Sequence, residues 1–159
     1  MDELSAYHEA GHAFFAVYLG ARVRSVSIAP EADDGPARYA DIRIEWPTRR
    51  FNERERRAKS AWVALAGPVA EMLYRGERLH PGFVPEWASD WQLAWEAAAD
   101  QFPHERRRLA HLERTTAELY EGLDREPCWS AVAAIADHLL AYETLEGDQV
   151  AELVHEWLG

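Results

Sequence analysis

Over residues 4–19 the apolar side chains Leu4, Tyr7, Phe14, Phe15, Val17 and Tyr18 fall almost all round a helical circumference, with no proline among them and Gly20 beyond the end. A helix that is apolar on every side is a buried one. The period then changes. Residues 21–29 alternate, with Val23, Ser25 and Ser27 on one face and Arg24, Val26 and Ile28 on the other, which predicts a short strand. Turn chemistry occupies residues 30–36, including Asp33-Asp34-Gly35, and a second alternating run over 38–46 carries Ile42 and Ile44. The two runs predict a small sheet or hairpin near the N-terminus.

Helical periods dominate the rest. The charged stretch 49–57 interleaves arginine with glutamate, so it reads as the solvated start of a helix rather than a basic binding patch. That helix runs on through 61–66, and Gly67-Pro68 predicts a kink or a fresh start before 69–74. Residues 79–86, with two prolines and a glycine, predict a loop. Ser89 is then the expected N-cap, with Asp90 in the first turn of a helix running to about Gln101. Trp87, Trp91 and Trp95 lie four apart and read as core. Pro103 opens a helix ending near Gly122, Pro127 opens one reaching Tyr142, and Gly147-Asp148 separates it from a last helix over 149–157. The expected fold class is mainly α (α+β), a helical bundle with a small sheet, forming one domain over 1–159.

Composition narrows the function classes. A chain of 159 residues that is 48% hydrophobic, with seven tryptophans, can bury a real core. Its net charge of −11 argues against nucleic acid or an anionic membrane as partner. Cys128 is the only cysteine, which excludes a disulfide framework and a cysteine-based zinc site and makes a reducing, cytoplasmic setting the simplest expectation. The longest apolar run, 13–19, is far short of the ~20 residues that span a bilayer, and no signal-peptide pattern precedes it, so no membrane insertion is expected.

The chemistry concentrates in Ala6-Tyr7-His8-Glu9-Ala10-Gly11-His12-Ala13. Residues four apart on a helix stack one turn above each other, so His8 and His12 present two imidazoles on one face with Glu9 beside them. This is the H-E-x-x-H spacing of zinc peptidases, in which two neutral imidazoles hold the ion and the carboxylate takes a proton from an acidified water. Inside a buried helix, three such polar groups are costly unless something binds them, and a metal ion meets that need. A catalytic zinc takes a third protein ligand, for which Asp90 and Glu71 are the candidates. Gly11 would let another backbone come close to the metal helix.

Several further segments, in order, match one family. Residues 6–13 resemble the A-Y-H-E-A-G-H-A of the FtsH-type zinc metallopeptidase domain, and 23–30 its strand ending in V-S-I-x-P. Residues 65–73, with Glu71, are similar to its L-G-G-R-A-A-E-E-L helix. Ser89 to Ala94 are similar to N-D-L-x-R-A, and Glu143-Thr144-Leu145-Glu146-Gly147 to E-T-L-D-G. The resemblance implies a zinc endopeptidase binding one Zn2+ through His8, His12 and Asp90, with Glu9 as general base. It also implies that Glu71 holds a ligand histidine in its tautomer. An extended peptide substrate would pair with the edge of the strand that carries Ser25, Val26, Ser27 and Ile28.

The sequence departs from that family in lacking the phosphate-cradling G-x-x-x-x-G-K-[ST] segment and ATPase module, in Ala66-Gly67-Pro68 standing for G-G-R, and in Ser89 before the aspartate. The expected activity is therefore on peptides or unfolded protein, by a free-standing peptidase, a homo-oligomer, or a chain supplied by a separate ATPase. Two rivals remain: a non-catalytic, zinc-stabilised binding or adaptor domain, and a zinc amidase acting on small substrates. Glu9 speaks against the first, since a purely structural site needs no base. Of the other histidines, His80 lies in the loop ahead of Asp90 and could line the cleft, whereas His104, His111, His138 and His155 read as helical surface residues.

Overall fold

Six helices and three short strands are present among the residues described by the computed structural model, 3–29 and 41–159. The first helix, α1 (Glu3–Tyr18), is less enclosed than its sequence predicts: Ala6, Ala10, Ala13, Phe14 and Ala16 are fully buried, but Leu4, Tyr7, Phe15 and Val17 are half-buried and Tyr18 is exposed. It leads into β1 (Arg22–Ser27), which pairs antiparallel with β2 (Asp41–Glu45). The turn expected over 30–36, and the start of the second alternating run at 38–40, lie outside the described residues. A third strand, β3 (Thr144–Glu146), pairs with the other side of β1, so the sheet order is β2-β1-β3 and Val26 lies between Ile42 and Leu145. Val26 and Leu145 are fully buried and join the core beneath the sheet.

The long helix α2 (Glu53–Arg75) lies against α1 and also meets α3 (Ala88–Ala97) and α4 (Glu105–Leu123). It starts in a capping box, in which Asn52 accepts from the Glu55 N–H and Glu55 accepts from the Asn52 N–H. Solvated charges therefore begin it, as the alternating signs suggest. Pro68 does not break it. The missing N–H and the crowding of the Ala64 carbonyl cost one turn of bonding, which the burial of every side chain from 63 to 72 on this helix outweighs. Close contact explains why α1 and α2 can share a site: a β-carbon on Gly11 would stand 2.5 Å from the Ala66 carbonyl oxygen and 2.6 Å from the Ala70 methyl. The backbones meet where Gly11 has no side chain.

Two single 3-10 turns, Pro81–Phe83 and Pro85–Trp87, occupy the connection expected as a loop and lead into α3. The N-cap of α3 is Trp87, not Ser89, and the helix ends at Ala97. Asp90 is in its first turn, as expected. Then come α5 (Cys128–Tyr142) and α6 (Gly147–Leu158), which flank β3 and pack on each other. No helix among the described residues is long and apolar enough to cross a membrane.

Candidate metal centre

Three elements deliver one side chain or two each to a single point. From α1 come His8 and His12, from α2 comes Glu71, and from the first turn of α3 comes Asp90. The Nε2 atoms of His8 and His12 are 3.1 Å apart. Asp90 places Oδ2 2.8 Å from Nε2 of His8 and Oδ1 3.4 Å from Nε2 of His12. One ligand atom from each of the three residues lies within 4.8 Å of the others.

The outer nitrogen of each ring is tied down. Nδ1 of His12 donates to the Val63 carbonyl at 2.7 Å, and Nδ1 of His8 donates to Glu71 Oε2 at 2.5 Å. Because those partners accept, the Nδ1 atoms carry the protons and the two Nε2 lone pairs face each other and the Asp90 carboxylate. Three acceptors converging in this way need an electrophile between them, either a proton or a cation. Ligands 2.0–2.1 Å from one tetrahedral zinc would be about 3.3 Å apart, close to the separations of 3.1, 2.8 and 3.4 Å found here. Two imidazoles and a carboxylate therefore fit a borderline divalent cation in both donor type and spacing.

Electrostatics agree with that competition. Burial pulls the His8 imidazole down, but its hydrogen bonds to Asp90 and Glu71 and the charges of Asp90 and Glu9 outweigh it and raise it to about 10. His12 is raised as well, burial again opposing and the Asp90 charge winning. Burial pushes the Asp90 carboxyl up, yet the two histidines hold it well below the usual carboxylate range. In the metal-free protein the site thus keeps a proton where a metal would sit. Glu9 is buried, 6% exposed, and its charge acts on both imidazoles.

Glycine also shapes the cradle. A β-carbon at position 67 would stand 2.4 Å from Nε2 of His12 and 2.6 Å from its Cε1. Only glycine leaves the ring its place, and Gly67-Pro68 is thus part of the site rather than a helix boundary. Trp87, read from sequence as core alone, is buried and also polar in its role: its Nε1–H donates to Glu71 Oε2 at 2.6 Å. A buried indole N–H needs a partner, and that was the signal available in the sequence.

Beside the centre a cavity of about 340 Å3 opens between Ile42, Ile44 and Trp46 on one side and Val63, Ala64 and Leu93 on the other, with His12 and Asp90 in its wall. The strand at this cavity is β2. The substrate-strand assignment to Ser25, Val26, Ser27 and Ile28 is therefore corrected. β1 is the middle strand, Ser25, Val26 and Ser27 are paired with both neighbours, and the Ile28 N–H donates to the Glu143 carbonyl at 2.8 Å. No backbone is left there for a peptide to pair with. Among the described residues the open edge beside the cavity belongs to β2.

His80 is not brought into the cluster. It accepts from the Gly82 N–H, donates to Glu113 at 2.9 Å and stacks on Phe83. His104 and His155 are exposed, while His111 and His138 are half-buried, the former stacked on Phe102. Neither comparison with protein-family models nor comparison with curated proteins found a match to this chain.

Proposed function

We propose that this chain is a zinc-dependent metalloendopeptidase of the FtsH peptidase type that hydrolyses peptide bonds in unfolded or extended polypeptides. The observation that carries the reading is the convergence of His8 Nε2, His12 Nε2 and the Asp90 carboxylate, with both Nδ1 atoms tied to acceptors and buried Glu9 adjacent in sequence to His8. A zinc ion held by His8, His12 and Asp90 would acidify a water and polarise the scissile carbonyl. Glu9 takes a proton from the attacking water and returns it to the leaving amine. Glu71 keeps the proton of His8 on Nδ1, so that its Nε2 lone pair remains available.

The edge of β2, open among the described residues, and the apolar cavity beside His12 favour a polypeptide over a small amide. An extended substrate adds to β2 through its main chain, and one apolar side chain enters between Trp46 and Leu93. The test is degradation of unfolded casein by the zinc-loaded protein beside Glu9→Gln, which keeps every ligand and loses the base. The parent is expected to cleave and the variant to be slower by a factor of about 10²–10⁴ while retaining its zinc. Equal cleavage by both would remove Glu9 from the mechanism, and no cleavage by either, with zinc bound in both, would contradict the peptidase reading in favour of a zinc-stabilised binding domain.

A further inference from the structure

Trp87 stands at the joint between the two 3-10 turns and α3, three residues before Asp90. It is the largest fully enclosed side chain among the described residues, 1% exposed, yet it is not apolar throughout. Its Nε1–H donates at 2.6 Å to the same Glu71 oxygen, Oε2, that accepts from His8 Nδ1 at 2.5 Å. One carboxylate oxygen thus gathers donors from α1 and from the entrance of α3, while itself belonging to α2. Helix α3 has no side-chain hydrogen bond at its N-cap, so this buried bond is what ties its entrance to α2 by a directional contact.

We propose that Trp87 is a positioning residue for the metal centre, fixing the His8 imidazole through Glu71 and setting the placement of α3 that brings Asp90 to both histidines. The inference rests on the metal reading of His8, His12 and Asp90. A glutamate has three side-chain torsions, and a single bond to a histidine leaves its carboxylate free to swing about that bond. A second donor from a different element removes that freedom and keeps Glu71 turned toward the outer nitrogen of His8. It also occupies Glu71 as an acceptor, which separates its role from that of Asp90. Packing alone would make the volume of the Trp87 ring important and its N–H irrelevant. The shared oxygen makes the N–H the informative atom.

The experiment is a double-mutant cycle on zinc affinity, read by chelator competition, with the absorption bands of the cobalt-substituted protein recorded alongside. Trp87→Phe keeps an aromatic ring and removes the donor. It is expected to weaken zinc binding by about tenfold, at the lower end of what loss of an outer partner costs, and to alter the cobalt bands. In a Glu71→Ala background the same change should have no further effect. An equal loss in both backgrounds, or no loss in either, overturns the relay and leaves Trp87 as core packing.

The unsubstituted protein provides an independent reading that does not depend on a variant folding. The Trp87 indole proton, followed by nitrogen-15 NMR, should resist solvent exchange and move when zinc is added and when Glu71 is replaced by Gln. A Trp87 resonance indifferent to both overturns the proposal. Absence of stoichiometric zinc in the unsubstituted protein would overturn the metal reading and this inference together, whereas additivity in the cycle overturns this inference alone.

Discussion

A histidine serves as a metal ligand only when its ring is held and its proton is on the far nitrogen, and His8 meets both conditions through Glu71. In the metal-free protein the same residue is an imidazolium between two carboxylates, held protonated to about 10 against an ordinary value of 6.5. A folded-state value raised above the unfolded one contributes stability that is complete below the unfolded value and disappears as pH rises through the folded one. The metal-free fold should therefore lose stability between pH 6.5 and about 10. Zinc affinity should rise over the same window, because the cation displaces that proton. Thermal unfolding with and without zinc across this range checks both signs. Asp90→Asn, which removes the principal partner of His8, should flatten the decline of the metal-free protein. A metal-free midpoint that rises with pH would contradict the assignment.

At the scale of elements, the residues that the sequence made legible are those whose spacing is local. His8, Glu9 and His12 are set by one helical turn, whereas the face α1 buries is made mostly of small residues, Ala6, Ala10, Gly11, Ala13 and Ala16, rather than of the large apolar side chains that drew attention to it. The choice of Asp90 over Glu71 as third ligand came from the register of the resembled family, since no local period brings residues 71 and 90 to residue 8. The three-residue strand β3 is too short for any alternation to declare itself, and its pairing makes β1, the strand on which the resemblance placed the peptide, the middle one. Of the two readings of Gly67-Pro68, the fresh helix start is the one the structure overturns: breaker residues interrupt a helix in a solvated context, whereas here the surrounding burial keeps α2 continuous.

Gly67 turns that correction into a prediction. On helix propensity alone, Gly67→Ala would stabilise α2 by about 1 kcal/mol. Here the new methyl would meet the His12 ring at 2.4 Å, and displacing a packed ring costs about 1–3 kcal/mol. The variant should melt lower than the parent and bind zinc more weakly, measured by calorimetry and chelator competition. A higher melting temperature with undiminished zinc affinity would mean that the ring is not confined there.

Across the whole molecule, α1 is the member that every part of the site refers to: α2 supplies the outer partners of its histidines, α3 the Asp90 carboxylate, and β2 the rim of the adjoining cavity. The fold class, mainly helical with a small antiparallel sheet, was readable because several helices carry boundary signals in their sequence, such as Gly20 after α1, Pro103 ahead of α4 and Pro127 ahead of α5. The assembly of those helices into one centre was not, because it depends on close approaches such as Gly11 against Ala66 and Ala70. We propose that this assembly makes a three-ligand metal site. Its most direct test is zinc content after dialysis of the parent, Asp90→Ala and Glu71→Ala. One zinc per chain is expected in the parent, none in Asp90→Ala, and zinc still bound in Glu71→Ala with an affinity lower by about 10–100-fold. Zinc retained by Asp90→Ala but lost from Glu71→Ala would contradict the ligand set.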